Sequence, residues 1–237
     1  MRDCSFCNYS QTKRRGGSYM GYYVVIDLEM CRVPKTQRKH YRNKQEIIQI
    51  GAALMDSDLN VIDTYSEYVK PEYGNLDDFI SKLTGITAKD LENAVNIKIA
   101  LDKFMNWLPQ DDVVIPVSWS NSDEYQFRYE LSEKKITTSD RFDQMLFNWI
   151  DCQPQFAKKM RMKKQYSLEE ALIATDICTD GRAHNGMVDA YNTALLYVKM
   201  QNEDELVLNE YYRRAHCNEE PEHLSFGLDD LLVAAGF

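Results

Sequence analysis

Residues 22–30 read YYVVIDLEM. Five apolar or aromatic side chains mark a strand built for a core, yet Asp27 and Glu29 follow, on either side of Leu28. Side chains on a strand alternate, so the two acids share one face and Leu28 takes the other. They fall near the strand's carboxyl end, where open α/β sheets bind ligands. Two carboxylates at that range repel and raise each other's pKa unless a positive charge stands between them. Two readings stay open on this stretch alone: a strand end whose acids are simply solvated, or a site for a divalent cation. Hard oxygen ligands suit magnesium or manganese.

Outward from that strand, EIIQIGAALM (46–55) is a second apolar run, and VIDTYSEYVKP (61–71) is a third with partial alternation. Short connections between them predict an antiparallel meander. Helical spacing then takes over. Phe79, Ile80 and Leu83 share a face, Thr87 with Asp90 opens a helix, and LDKFMNWL (101–108) is stopped by Pro109. DVVIPVSW (112–119) reads as a fourth strand, with Pro116 arguing against a central place. Ser120, Asn121 or Ser122 caps a helix through SNSDEYQFRYEL. QMLFNWID (144–151) reads as a fifth strand. Ser167 and Glu170 form a capping box. VDAYNTALLYVKM (188–200) is amphipathic, with Ala190, Tyr191, Ala194, Leu195 and Val198 on one face. Three strands followed by alternating helix and strand predict an α/β fold, a mixed sheet with helices on both faces.

Residues 1–20 read as a flexible lead-in and 21–200 as the domain. Residues 201–237 form an acidic extension whose LDDLLVAAGF segment is suited to dock as a helix. The net charge of −9 runs against a nucleic-acid partner, which leaves a basic footprint. Its distribution changes that. Residues 201–237 hold nine acids and two bases, so the first 200 residues carry 28 acids and 26 bases, a net of only −2. The loop RVPKTQRKHYRNK (32–44) has six bases and no acid, and Lys158, Lys159, Arg161, Lys163 and Lys164 form a second cluster. Either is a solvated surface or a guide for a phosphate backbone. No run of apolar residues is long enough to span a membrane. The N-terminal residues lack the apolar stretch of a secretory signal, so reduced cysteines and a cytoplasmic location are expected. Cys4 and Cys7 make a C-x2-C pair without the second pair that a structural zinc needs.

Further acids arrive at comparable places. Asp123 follows the fourth strand at a helix start, where it could serve only as a cap. Asp189 sits in the first turn of the last strong helix, where an acid has a structural role of its own. His184 precedes it by five residues in a loop between Gly181 and Gly186. An imidazole there is a surface residue or a general base for water. Together the residues run D-x-E, a distant Asp, then H-x4-D.

With these motifs the chain resembles the DEDDh 3′–5′ exonucleases, which have the ribonuclease-H-like fold, over residues 22–200. It is most similar to the branch holding the histone-mRNA and RNA-interference 3′ exoribonucleases and the bacterial sporulation-inhibitor-type exonucleases. The resemblance rests on VIDLEM, EIIQIGAALMD, LDDFISKLTGITAKDLENA, SWSNSDEYQF, FAKKM and TDGRAHNGMVDAYNTALLY. It implies a five-stranded sheet in the order 3-2-1-4-5 with strand two antiparallel. It also implies two divalent metal ions, magnesium or manganese. Asp27 would bridge the pair, Glu29 and Asp189 would complete the shell of the ion holding the attacking water, and Asp123 would support the second ion through water. His184 would take the water's proton. The expected substrate is the 3′ end of single-stranded nucleic acid, RNA favoured, releasing nucleoside 5′-monophosphates. A proofreading-like DNA exonuclease and a catalytically silent nucleic-acid-binding protein are the alternatives. In the family a Thr commonly lies two residues after the motif Glu and helps seat the terminal nucleotide. Here that position is Cys31, with Met30 beside it as a wedge against the terminal base.

Overall fold

A computed structural model describes residues 21–161, 165–178, 181–203, 206–207, 209–210 and 212. The strands are β1 (Tyr22–Arg32), β2 (Gln45–Met55), β3 (Val61–Tyr68), β4 (Val114–Ser118) and β5 (Ile150–Asp151). The helices are α1 (Asp78–Thr84), α2 (Ala88–Glu92), α3 (Ile97–Trp107), α4 (Ser122–Glu133), α5 (Asp140–Phe147), α6 (Cys152–Lys159), α7 (Leu168–Ala174) and α8 (Gly186–Asn202). The sheet order is β3-β2-β1-β4-β5. β1 runs antiparallel to β2 and parallel to β4. This is the α/β, ribonuclease-H-like order that the family resemblance implies.

β1 is apolar on both faces because both are covered. Val24, Ile26 and Leu28 point to a core shared with Leu101 and Phe104 of α3, Phe127 of α4 and Phe142 of α5. Val25 points the other way, to Phe156 of α6, Leu172 of α7 and Ala190 and Ala194 of α8. Asp27 follows Val25 by two residues and so faces the α7–α8 side. The acids are polar exceptions in the alternation of a strand that is otherwise core.

Several expectations change in detail. The apolar run 144–151 is mostly helix. Ser139 accepts from the Phe142 N–H at 3.2 Å and starts α5, which buries Phe142, Met145 and Leu146 at helical spacing. Only Ile150 and Asp151 remain as strand. Pro116 is tolerated inside the sheet because β5 pairs only with Val117 and Ser118, leaving β4 an edge at the level of the proline. The helical segment 79–87 is broken at Gly85, whose φ of 81° closes α1, and the Thr87–Asp90 capping box then opens α2. Phe79 is exposed, with the Arg32 guanidinium over its ring, and Ile80 alone fills the expected core role fully. On α8 the covered face is wider than predicted, since neighbouring helices flank it. Thr193, Leu196, Tyr197 and Met200 are buried, whereas Tyr191 is 40% exposed.

α4 is fastened to β2 by buried charges. Glu130 accepts from the Ile47 N–H at 2.8 Å and from Gln126 at 2.9 Å, and Lys134 pairs with both Glu130 and Glu46. Glu46 also accepts the N–H groups of Glu72, Tyr73 and Gly74. A buried ion cluster holds only when its remaining lone pairs are satisfied, as here. The fastening holds the last turn of α4 against β2.

The 1–20 lead-in, the Cys4–Cys7 pair, Lys163 and Lys164, and the LDDLLVAAGF segment lie outside the described residues. Beyond α8, Leu206 and Tyr212 are buried in the α6–α8 core. Lys159 of the second basic cluster donates to the Glu203 carbonyl at 2.6 Å. Among the described residues no helix is long and apolar enough to cross a membrane.

Candidate active site

The carboxyl end of β1 opens into a cleft of about 530 Å³ between α4, α7 and α8. Asp27, Glu29, Asp123, His184 and Asp189 all line it, as does Met30. Each arrives on a different piece of local chemistry. Asp27 and Glu29 come from the strand alternation. Asp123 sits in the first turn of α4 and is buried, and its Oδ1 accepts from the Leu28 N–H at 3.1 Å, tying α4 to β1 between the two acids. Asn121 occupies the N-cap position of α4 without a side-chain capping bond. Asp189 lies in the first turn of α8, where the Asn185 side chain caps the helix.

Two glycines bring α8 this close. Gly51 pairs with Asp27 across β1–β2, and a side chain on it would overlap the backbone of Gly186 and Met187. A Cβ on Gly186 would stand 2.9 Å from the Asp27 carbonyl. The Gly186 N–H also donates to Gln49 Oε1 at 3.1 Å, a second link between β2 and the helix start.

Among the described residues, Glu29, His184 and Asp189 place potential ligand atoms within 4.8 Å of one another. Asp27 and Asp123 also line the cleft but lie outside that closest trio. The His184 N–H donates to Asp189 Oδ2 at 2.7 Å, and its side chain is exposed at the mouth. Cys31 does not reach the cleft. A register shift in the β1–β2 pairing falls just after Glu29, and Cys31 is fully buried with Ile48, Ile80, Ile86 and Leu91 beneath α1. Of the two residues expected to seat a nucleotide, only Met30 is placed to touch one.

The electrostatics are those of buried acids crowded against one another. Burial, and then the charges of Asp123, Asp189 and Glu29, push the Asp27 carboxyl well above the ordinary range. Glu29 is pushed up to about 8, by burial first and then by Asp189 and Asp123. Burial raises Asp123 to about 7 against the pull of the Leu28 N–H, and it raises Asp189 against the His184 N–H. Among the described residues, no lysine or arginine lines the cleft. Carboxylate oxygens crowded together with no lysine or arginine among the described residues beside them fit a hard divalent cation.

The sign of the pH dependence follows. Without metal, the folded site keeps protons that the unfolded chain has released above about pH 4.5. Stability therefore falls as pH rises through the window ending near the Glu29 value of about 8. In EDTA the melting temperature should drop between pH 5.5 and 8, and millimolar manganese or magnesium should remove most of the drop. Saturation at 100 times Kd adds about 2.7 kcal/mol. A melting temperature indifferent to both pH and metal would contradict the crowding described here.

Other lining residues carried no signal of their own in the sequence. Trp119, Leu168, Leu172, Ile173 and Ile177 supply the large apolar side chains of the lining beside the acids. Asn192 is buried three residues after Asp189 on the same face of α8, the one position that helical spacing could have pointed to.

The exonuclease family model matches residues 24–197, most of the described body. The chain belongs to the DEDDh family of 3′–5′ exonucleases. This exonuclease domain is 28% identical to zebrafish ERI1 exoribonuclease 2 over 230 residues, covering 87% of the chain and 40% of the relative. It is 30% identical to the human protein of that name over 203 residues, covering 76% of the chain and 28% of the relative. The chain thus spans less than half the length of these relatives. Among solved structures, the nuclease domain of 3′hExo bound to rAMP superposes with a TM-score of 0.66 at 25% identity, over 82% of this chain and 99% of that one.

Proposed function

We propose that residues 21–200 form a metal-dependent 3′–5′ exoribonuclease that releases nucleoside 5′-monophosphates from the 3′ end of single-stranded RNA. The carrying observation is the meeting of Asp27, Glu29, Asp123, Asp189 and His184 in one cleft with no lysine or arginine among its described lining residues. The exoribonuclease relatives and the rAMP bound by 3′hExo support the choice of RNA. Asp27, Glu29, Asp123 and Asp189 would hold two divalent ions, magnesium or manganese. Such ions neutralise the carboxylates and the scissile phosphate and stabilise charge on the attacking and leaving oxygens of an in-line displacement.

The chain's own residues supply the rest. Met30 and the Leu172–Ile173 wall enclose the terminal base and hold it out of water. His184, at the mouth, accepts the proton of the attacking water as oxygen bonds to phosphorus. The bond from phosphorus to the 3′ oxygen breaks, and that oxygen takes a proton from solvent. The Asp189 carboxylate holds the His184 backbone in place through its N–H. Cys31, buried under α1, takes no part in seating the sugar.

Matched RNA and DNA oligonucleotides, single- and double-stranded, incubated with each metal test the reading. Single-stranded RNA should shorten from its 3′ end only with metal present. Faster loss of DNA would move the assignment to a DNA exonuclease, and binding without turnover even in manganese would move it to a silent binding protein. His184→Ala should lose roughly 10²- to 10⁴-fold in kcat, the usual worth of a general base. It should keep its manganese-induced rise in melting temperature. Unchanged turnover would refute the role given to the imidazole.

A further inference from the structure

His184 stands on a loop that has to be held from outside itself. Its φ is 62°, in the left-handed region, and Gly181 at the loop's other end has a φ of 111°. A non-glycine residue keeps such a conformation, at a cost of about 1–3 kcal/mol, only when its surroundings impose it. Residues 181–184 are exposed, so core packing does not impose it. Among the described residues, two hydrogen bonds lead out of residues 181–184. One is the His184 N–H to Asp189. The other belongs to Arg182, whose guanidinium donates to the Lys82 carbonyl in the last turn of α1 and lies over Gly85.

The partner surface suits that bond. The last carbonyls of a helix lack intrahelical donors and carry the negative end of its dipole, so a cation there is favoured. Gly85 leaves room for the guanidinium, since a Cβ at that position would collide with it. α1 is itself a firm anchor. Ile80 and Thr84 are buried, and Ile80 packs with Cys31 of β1 and Ile48 of β2. The bond spans 100 residues of sequence, from the last turn of α1 to the loop before α8.

We propose that Arg182 is a positioning residue for the reaction: by clamping the 181–185 loop to the end of α1, it fixes the His184 imidazole over the carboxylates. This rests on the reading of His184 as proton acceptor. Arg182 does not line the cleft and need not touch substrate.

The test uses the full chain with manganese and a single-stranded RNA oligonucleotide. Arg182→Ala should lower kcat about 10- to 100-fold with KM within twofold, because misplacing a catalytic group by an ångström costs on that order. Arg182→Lys, which keeps a donor, should recover most of the loss. Combined with His184→Ala, the arginine change should add nothing further, as for two residues acting as a unit. Independently of activity, hydrogen exchange of metal-free Arg182→Ala should quicken at the His184 amide with the melting temperature unchanged. A raised KM at constant kcat would make Arg182 a nucleic-acid contact and overturn the proposal. So would a multiplicative loss in the double variant, or unaltered exchange. Should His184→Ala retain full turnover, the proton-acceptor reading falls and the catalytic part of this proposal with it. Should only Arg182→Ala be silent, the proposal falls alone.

Discussion

Asp27→Asn should lose at least about 10³-fold in turnover and yet melt higher than the native chain in metal-free buffer. Asparagine matches aspartate in size and keeps an oxygen, so the β1 backbone and its pairing with Gly51 are undisturbed. What changes is charge. Asp27 feels burial and three neighbouring acids, and each of those acids is raised in turn. Removing one charge relieves a repulsion that the folded state bears and the unfolded chain does not, so metal-free stability rises, most of all near pH 8. Activity moves the other way. A metal site contributes several kcal/mol of transition-state stabilisation, and about 4 kcal/mol corresponds to three orders of magnitude in rate. The stabilisation that manganese gives the native chain should shrink in the variant. Calorimetry in EDTA and in manganese, beside single-turnover kinetics, reads all three. Turnover above a tenth of native, or a lower melting temperature in EDTA, would mean that Asp27 is not in a crowded metal site.

That opposition of stability and activity is what made the site legible in the sequence. YYVVIDLEM is readable because two acids break an apolar alternation, and nothing in a core strand asks for them. The central strand, its antiparallel neighbour and the Thr87 and Ser167 capping boxes carry strong local signals, and the structure has them. The 144–151 segment misled because a short apolar run fits a strand and a buried helix equally well. The deciding residue, Ser139, lies before the run and marks a helix start. Cys31 misled for a different reason. Its position in the family motif pointed it to the nucleotide, but the extra residue of the register shift is on β2, β1 keeps its alternation through Met30, and Cys31 lies past the cleft, covered by Ile80 of α1 with Ile86 and Leu91. Arg182 and Gln49 act through backbone groups 100 and 137 residues away, and no local pattern announces such partners.

Gly51→Ala should be the most damaging single-methyl change in the domain. Glycine inside an apolar strand marks a close approach of backbones, and here the approach is that of the first residues of α8 to β2. An alanine Cβ would fall on the main chain of Gly186 and Met187, which cannot rotate away as a side chain would. The start of α8 must lift by roughly an ångström, and Asp189 in its first turn lifts with it, away from Asp27 and Glu29. Ala190 and Ala194, fully buried beneath the helix, lose contact with the sheet. Overpacking of this kind costs about 1–3 kcal/mol. At about 2–4 °C per kcal/mol in a chain of this size, the melting temperature should fall by up to roughly 10 °C. Turnover should fall about 10²-fold or more, because carboxylates that share a ligand tolerate little displacement. Gly186→Ala should do the same from the other side, where a Cβ meets the Asp27 carbonyl at 2.9 Å. Gly21→Ala, with nothing within 4 Å of the added carbon, is the control and should be silent. If Gly51→Ala melted and turned over like the native chain, the close seat of α8 on β2 would not be what brings the last carboxylate to the other three.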